Sequence, residues 1–398
     1  MSPVPSSHWS LPDFGTYPTE HLVVDATCID HGVALKWTDG VFTHHHRFVL
    51  RENSPDPATT HPLSREQQLQ LTDMHPDLQI TAAEPDQHGG LVVSWSHGTP
   101  TTSTYHPGWL RAWAARPWPS KGSPTAGSSL PGQVLWRASL GLDAITFEPE
   151  VLAGDAELVS FATTLYTHGV ALVRGLPVRA SMVTELPSLI GPVRATNFGE
   201  VFDVRTKAAE VTSNAYTDLE LPVHVDLATR EYMPGLQFLF CMTNDASGGE
   251  SRLCDAAAIA ALLRDEHPDA FNALTTIEVG FANKAADTDY RHRGPFLVVD
   301  CDGELIEARW SPWLRAPLQA PLAEADRFYR ALRLAMSLAE DRQFIVAHRL
   351  EPGDMLAFDN RRVLHGRGAV DRSTGDRWLR GSYVEREELA SLLRVRQR

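Results

Sequence analysis

A segment rich in proline, glycine and serine divides the 398-residue chain into two regions. It spans residues 116–133, RPWPSKGSPTAGSSLPGQ, and has no periodic apolar pattern that a helix or strand could bury. Because such a composition is typical of a linker, the sequence predicts two domains. The first covers residues 1–115 and the second covers residues 134–398.

Short apolar runs bounded by turn residues dominate both regions. Residues 33–37 (VALKW), 46–50 (HRFVL) and 91–95 (LVVSW) predict strands of a small, β-rich first domain. In the second region, runs such as LQFLF (236–240) and MLAFD (355–359) predict further strands. These runs do not alternate regularly with helices, as they would in a βαβ protein.

Helical periodicity marks a few segments of the second region. Apolar residues recur at helical spacing over 155–169 and 322–339, and a third segment, AAAIAALLRDEH, follows Asp255 and ends before Pro268. Many short strands with few covering helices favour a jelly-roll barrel. We therefore predict a mostly β protein with covering helices, whose second domain is a jelly roll (a double-stranded β-helix).

Charge and composition exclude several classes of partner. Lys and Arg total 36 against 50 Asp and Glu, a formal charge of −14, so nucleic acid and anionic membranes are poor partners. No apolar run approaches the ~20 residues that span a bilayer, and the first residues lack the apolar core of a secretory signal. The four cysteines form no Cys-x-x-Cys pair, which is typical of a reducing compartment. We therefore expect a cytoplasmic protein.

Three side chains carry the pattern of a metal site. His224 and Asp226, in the segment LPVHVDLATREYMPG, are two residues apart, so on a strand both would point to one face. His365 lies in FDNRRVLHGRG, after another apolar run. Two imidazoles and one carboxylate leave three positions of a metal ion open, which is the ligand set of non-haem Fe(II) oxygenases.

Two further residues are candidates for binding an anion near such a metal. Arg377 lies in the strand-like stretch RWLRGSY, and its guanidinium could bind a dicarboxylate through two parallel hydrogen bonds. Ser251 places a hydroxyl beside the glycine pair of GGES. Each also has an ordinary interpretation, Arg377 as a surface arginine and Ser251 as part of a turn.

In order and spacing, the chain resembles the γ-butyrobetaine dioxygenase and trimethyllysine dioxygenase family of taurine-dioxygenase-like oxygenases. The resemblance covers residues 150–390 and rests on four segments: HVDLATREYMPGLQFLF, GGES, PGDMLAFDNRRVLHGR and RWLRGSY. It implies that His224, Asp226 and His365 are catalytic iron ligands. It also implies that Arg377, assisted by Ser251, binds the distal carboxylate of 2-oxoglutarate.

The resemblance further implies an activity. The enzyme would be an Fe(II)- and 2-oxoglutarate-dependent dioxygenase that uses O2 to hydroxylate an unactivated carbon of a small metabolite, releasing succinate and CO2. It would also be a homodimer, as the family is.

The same resemblance bears on the substrate. The family's aromatic cage, which binds a trimethylammonium group, corresponds to four aromatic residues here: Phe198, Phe202, Tyr216 and Tyr383. They are compatible with a cationic substrate group and equally with an apolar core. Family asparagines that bind the substrate carboxylate correspond to Ser213 and to a position near Ser311. The aromatic positions suggest a substrate with an amine or quaternary-ammonium group. Because neither carboxylate-binding position is Asn, we expect a substrate other than γ-butyrobetaine.

The first region differs from the family at its zinc site. The family binds zinc there through three cysteines after an LRDN-like stretch, whereas this chain reads LRENSPDPATTH and has no cysteine. Residues 44–46 are consecutive histidines, which on a strand would point to alternate faces and make a poor single site. We therefore expect no zinc in the first domain.

Two other functions stay open from the residues alone. A zinc-dependent hydrolase or isomerase could use the same three ligands, although Arg377 and Ser251 would then have no role. A non-catalytic jelly-roll binding protein would not need a complete ligand set. The chain has no G-x-G-x-x-G, G-x-x-x-x-G-K-[ST], H-E-x-x-H or G-x-S-x-G motif, which excludes the usual signatures of other enzyme classes.

Overall fold

The computed structural model describes residues 8–115, 130–205, 219–283 and 288–396. The chain divides into two compact units, with the boundary between residues 129 and 130. The predicted linker over 116–133 lies mostly outside the described residues.

The first unit contains two three-stranded antiparallel sheets with strand orders β1-β2-β3 and β4-β5-β6. The elements are β1 (Val23–Ile29), β2 (Gly32–Trp37), β3 (Phe42–His46), α1 (Arg47–Glu52), β4 (Ile80–Pro85), β5 (Leu91–Trp95), β6 (Thr102–Tyr105) and α2 (Pro107–Ala112), with a 3₁₀ turn at Leu71–Asp73. Its core is rich in aromatic side chains, among them Trp37, Trp95, Tyr105 and Trp109.

The predicted strand over residues 46–50 is wrong, because only His46 belongs to a strand, at the end of β3, and residues 47–50 begin helix α1. Nδ1 of His46 accepts a hydrogen bond from the Phe48 N–H at 3.3 Å and so caps the helix. The helix buries Leu50 and Arg51. A short apolar run does not distinguish a strand from a buried helix, and here the capping residue decided the outcome.

Hydrogen bonds of Arg51 hold the segment that lacks the family's cysteines. Arg51 is 3% exposed and donates to Thr59 Oγ1 at 3.1 Å and to the Thr99 carbonyl at 2.8 Å. It also forms an ion pair with Asp56 at 3.5 Å. A buried guanidinium with several acceptors can fix a loop without a metal. Within residues 8–115, no three metal-ligating side chains lie close enough to share an ion.

We expect metal analysis of the full-length double variant His224→Ala, His365→Ala to find no stoichiometric zinc. The variant removes two of the three candidate ligands in the second unit, so any tightly bound zinc would report on the first unit. Mass spectrometry of the dialysed protein measures the metal content. A stoichiometric zinc ion in this variant would contradict the prediction.

The second unit combines many strands with fewer helices. Its helices are α3 (Asp155–His168), α4 (Met182–Ser188), α5 (Ala256–Glu266), α6 (Pro268–Thr276), α7 (Leu322–Glu340) and α8 (Arg386–Arg396), with 3₁₀ turns at Leu142–Ile145 and Pro149–Leu152. Its strands are β7 (Thr146–Phe147), β8 (Val170–Val173), β9 (Val201–Arg205), β10 (Leu221–His224), β11 (Leu236–Asn244), β12 (Ser247–Gly248), β13 (Ser251–Asp255), β14 (Glu278–Ala282), β15 (Arg291–Pro295), β16 (Leu297–Val299), β17 (Leu305–Ala308), β18 (Val346–His348), β19 (Met355–Asp359), β20 (Val363–Arg367), β21 (Val370–Asp371) and β22 (Arg377–Val384). None of the helices in the described residues is long and apolar enough to cross a membrane.

Two mainly antiparallel sheets form the centre of this unit. The larger sheet has the order β7-β8-β19-β11-β22-β9 and the smaller has the order β10-β20-β13-β18. Buried side chains from both sheets pack into one cluster that includes Leu239, Leu379, Leu253 and Val363. Two such sheets packed face to face are typical of a jelly-roll core, and the mostly β prediction is confirmed.

The helices cover the sheets from outside. The predicted helices at 155–169, after Asp255 and over 322–339 correspond to α3, α5 and α7. Asp255 caps α5 by accepting the Ala257 N–H at 3.0 Å. Helix α6 was missed, because Pro268 was interpreted only as a stop for α5, whereas it is also the first residue of the next helix.

Candidate active site

The three predicted metal ligands lie together between the two sheets. His224 ends β10 and faces its cross-strand partner His365 on β20. Asp226 Oδ1 lies 3.4 Å from His224 Nε2 and 3.6 Å from His365 Nε2. Metal bonds of ~2.0–2.2 Å to such atoms allow one ion to bind all three. Asp226 lies in the turn after β10 rather than on the strand, so the strand-face argument was only half right.

The protonation of the three side chains suits a divalent cation. Nδ1 of His224 lies 3.0 Å from the Pro222 carbonyl, so a proton on Nδ1 leaves the Nε2 lone pair for the metal. Burial, and then the neighbouring His224, lower the pKa of His365, which favours its neutral form. Burial acts to raise the pKa of Asp226, but the two imidazoles outweigh it and hold this pKa well below its ordinary value.

The backbone of Asp226 is fixed by the side chain of Asn360, which lies in the turn between β19 and β20. Asn360 is fully buried; its Oδ1 accepts the Asp226 N–H at 2.8 Å and its Nδ2 donates to the Asp226 carbonyl at 3.1 Å. The next residue, Leu227, has a φ of 58°, a left-handed conformation that a branched side chain rarely adopts. The turn that presents Asp226 is therefore held in place by contacts from outside its own segment.

A cavity of about 110 Å³ opens beside the ligands, several times the ~10–15 Å³ that one water needs. It is lined by residues of both sheets, including all three candidate ligands, Ser251, Arg367, Arg377, Gln237, Phe198, Phe202 and Tyr383. The two arginines are notable in a chain with a formal charge of −14. A buried cavity with guanidinium groups favours an anionic ligand.

Arg377 is the buried cation of this cavity with no partner in the described part of the chain. It is 8% exposed, and no hydrogen bond or ion pair joins its guanidinium to a described residue. Burial, followed by repulsion from Arg367, lowers the pKa of Arg377 to about 10, so it stays charged at neutral pH. Gly249, with a φ of 71°, leaves room for it, because a Cβ there would lie 3.0 Å from Arg377 Cδ. A buried guanidinium of this kind favours an anionic ligand in the cavity.

Aromatic rings form one wall of the cavity. The Phe202 and Tyr383 rings stack with centroids 5.1 Å apart, and Phe198 lies 6.1 Å from Phe202. Gly381, the cross-strand partner of Phe202, makes this arrangement possible, since a Cβ there would lie 2.2 Å from the Phe202 ring. Phe198 is 45% exposed and lies at the open end of the wall.

Two of the remaining predicted substrate residues cannot be placed against this wall, and the third has another contact. Tyr216 and Ser213 lie outside the described residues. Ser311 is 1% exposed, and its hydroxyl accepts the Leu314 N–H at 3.1 Å, so it caps a turn.

Sequence reasoning missed three residues of the site: Gln237, Asn360 and Arg367. The sequence could have indicated Arg367, because it is two residues after His365 on the same strand and so points to the same face. The sequence indicates the other two only weakly. Gln237 is a polar residue inside the apolar run LQFLF, and Asn360 directly follows the run MLAFD. Buried polar residues within apolar runs usually have a specific hydrogen-bond partner.

Comparison with known proteins agrees with this geometry. Residues 134–383 match the family "Taurine catabolism dioxygenase TauD, TfdA family", and residues 27–111 match "Gamma-butyrobetaine hydroxylase-like, N-terminal". The chain is 37% identical to γ-butyrobetaine dioxygenase of Pseudomonas sp. (strain AK-1), over 98% of this chain and 100% of that protein. It is 23% identical to trimethyllysine dioxygenase of Meyerozyma guilliermondii, over 94% and 96% of the two chains.

Solved structures overlap it less completely. An asparagine oxygenase in complex with Fe(II), hydroxyasparagine and succinate superposes with a TM-score of 0.47 and 20% identity, over 58% of this chain and 79% of that chain. The assignment therefore rests on the sequence matches. The chain belongs to the TauD/TfdA family of dioxygenases, which confirms the resemblance to γ-butyrobetaine and trimethyllysine dioxygenases. It is an Fe(II)- and 2-oxoglutarate-dependent dioxygenase.

The residues of the site fit the cofactors of this class. Two imidazoles and a carboxylate form the donor set of a non-haem Fe(II) site with open positions. When bound, the iron supplies the oxidising chemistry that hydroxylates a C–H bond while 2-oxoglutarate and O2 become succinate, CO2 and the inserted oxygen. The chain would contribute the three ligands and, at Arg377, a buried cation that could pair with a carboxylate.

We expect His224→Ala, and separately His365→Ala, to abolish Fe(II)-dependent turnover of 2-oxoglutarate and to weaken Fe(II) binding. Three protein ligands leave no spare donor to replace the lost one. Anaerobic Fe(II) titration and succinate release measure the two effects. His292→Ala, which alters a histidine of the same unit outside the cavity, is the control and should behave like the unaltered protein. Near-normal iron binding by either ligand variant would refute the assignment.

We expect Arg377→Leu to weaken 2-oxoglutarate binding far more than Arg380→Leu. Arg377 faces the cavity, whereas Arg380 lies on the other face of β22, donating to Asp203 Oδ1 at 3.2 Å and to the Ala180 carbonyl at 2.7 Å. Losing one partner of a buried charge pair costs ~3–5 kcal/mol, or about two to four orders of magnitude in affinity. Anaerobic calorimetry of the Fe(II)-loaded protein gives the dissociation constants. If Arg380 proved essential and Arg377 dispensable, the assignment would be reversed.

Proposed function

We propose that this dioxygenase, built on a double-stranded β-helix, hydroxylates a carbon of a small substrate that carries an alkylated ammonium group. The observation that carries the proposal is the aromatic wall of Phe202 and Tyr383, which lines the same cavity as the three candidate iron ligands. Aromatic faces attract cations by ~0.5–2 kcal/mol, depending on how far the cation is removed from water. The names of the Pseudomonas and Meyerozyma relatives, which refer to trimethylammonium compounds, support the same class.

The cavity has two chemically different ends in this proposal. Arg377 and Ser251 bind the distal carboxylate of 2-oxoglutarate, and the aromatic wall receives the cationic end of the substrate. His224, Asp226 and His365 line the same cavity and would hold the iron. We expect the substrate to bind with its charged group against the rings and its reacting carbon near the metal.

The other end of the substrate distinguishes this enzyme from its relatives. Ser311 is 1% exposed and is not among the described residues that line the cavity, so this serine is a poor partner for a substrate carboxylate. With Ser213 also in place of a family asparagine, γ-butyrobetaine is not the substrate that we expect to be preferred. We also infer a homodimer from the family resemblance and a cytoplasmic location from the scattered cysteines. Sedimentation of the purified protein tests its oligomeric state.

We expect a matched substrate panel to show preference for a positive charge. The panel pairs trimethylammonium compounds, including γ-butyrobetaine and trimethyllysine, with neutral isosteres that carry a tert-butyl group, and substrate-dependent succinate release is measured. Phe202→Leu should raise the Michaelis constant of the best cationic substrate about 2- to 30-fold, because it removes one ring face. The neutral isosteres should be affected less.

Two outcomes would count against these proposals. Equal turnover of charged and neutral members, with the same response to Phe202→Leu, would show that the wall is only an apolar surface. Preference for γ-butyrobetaine over every other member would instead leave the cationic class intact and contradict the expectation drawn from Ser213 and Ser311.

A further inference from the structure

We propose that Tyr383 and Gln237 are positioning residues that hold the Asp226 carboxylate with only one oxygen directed at the iron-binding histidines. The proposal gives Tyr383 a second task beside that of a substrate wall, and it does not depend on which substrate is used. It does depend on Asp226 being a metal ligand, which the experiment below tests separately.

The register of the larger sheet brings the two residues together. Gln237 on β11 and Tyr383 on β22 are direct cross-strand partners, so their side chains point to the same face. The Tyr383 hydroxyl donates to Asp226 Oδ2 at 2.8 Å, and Gln237 Nε2 donates to the same oxygen at 2.9 Å. The other oxygen, Oδ1, is the one that faces the two histidine Nε2 atoms.

Protein stability alone does not explain Gln237. Its side chain is 1% exposed, and its Oε1 has no hydrogen-bond partner among the described residues. An unpaired buried acceptor costs ~1–3 kcal/mol, a cost that an apolar residue of similar size would avoid. Rotating the Gln237 amide by 180° would not remove this cost, because Oε1 would then face the carboxylate oxygen of Asp226 and two acceptors would be in contact. The hydrogen bond that Nε2 donates to Asp226 is therefore the feature that accounts for a glutamine at this position.

The two donors have a consequence for the metal. With Oδ2 occupied by two hydrogen bonds, Asp226 offers a single oxygen, and three positions of a six-coordinate ion stay open. A carboxylate free to turn could bind through both oxygens and take one of those positions. Hydrogen bonds of this kind orient metal ligands, and their loss typically costs 10–100-fold in metal affinity or activity.

One substitution separates the two tasks of Tyr383. Tyr383→Phe keeps the ring that stacks on Phe202 and removes only the hydroxyl that reaches Asp226. Gln237→Met keeps the volume of the side chain and removes the second donor. Arg380→Leu is the matched control, because Arg380 lies on the other face of β22 from Tyr383 and its loss leaves both donors to Asp226 in place.

The test is anaerobic titration of the metal-free protein with Co(II), followed by its visible absorption, without prime substrate. We expect Tyr383→Phe and Gln237→Met each to raise the Co(II) dissociation constant about 10–100-fold and to alter the ligand-field bands. Arg380→Leu should leave both unchanged, and Asp226→Ala should lose Co(II) binding. Thermal unfolding of the metal-free variants verifies that each is folded.

Two results would overturn the proposal. If Tyr383→Phe and Gln237→Met bind Co(II) with the affinity and spectrum of the unaltered protein while Asp226→Ala does not, the two residues do not position the carboxylate. If Asp226→Ala also binds Co(II) normally, Asp226 is not a ligand and the proposal fails with that assignment. Neither result bears on the cationic substrate, which the panel above tests independently.

Discussion

A buried ion pair between Arg362 and Asp255 anchors the strands that carry the site. The guanidinium donates to both carboxylate oxygens, at 2.9 and 2.8 Å, and both side chains are 2% or less exposed. Arg362 also donates to the carbonyls of Thr167 and Val134, so its charge is fully hydrogen-bonded. Such a pair is a weak source of net stability, but losing one partner leaves a buried charge and costs ~3–5 kcal/mol. Its main effect is to fix β13, β20 and the end of α3 relative to one another.

The iron site depends on the same short connection between β19 and β20. Asp359 forms an ion pair with Arg386 at 2.9 Å, Asn360 fixes the backbone of Asp226, and Arg361 donates to the Met233 carbonyl. One four-residue turn, ending at Arg362, therefore joins both sheets to the loop after Asp226. This explains how a strained turn can present a metal ligand: its conformation is imposed by contacts that are distant in the sequence.

Charge is distributed unevenly between the outside and the cavity. The chain as a whole is acidic, yet Arg367 and Arg377 line the cavity. A third arginine, Arg349, is near them, but it donates to the carbonyls of Asn244, Ala246 and Gly248 and so stabilises a turn. Arg377 has no such acceptor among the described residues. The fold thus uses one arginine to build the pocket and leaves another available for a carboxylate ligand.

Local sequence was enough to predict three of the longer helices, several strands and the kinds of ligand. Helices α3 and α5 have clear apolar periodicity or a capping residue, and His224, Asp226 and His365 indicate a divalent-metal site by residue type alone. The segment 46–50 was misread as a strand because a short apolar run has no decisive period, and α6 was missed because proline both stops and starts helices.

Only the tertiary structure decided how the ligands are held. Gln237, Asn360 and Tyr383 meet at Asp226 because the sheet order β19-β11-β22 and the register within it bring distant segments side by side. Neither the strand order nor the register is encoded in a local pattern, since each strand by itself shows only which residues alternate. The sequence therefore shows which side chains are candidate iron ligands, and the packing of the two sheets determines which oxygen of Asp226 faces the two histidines.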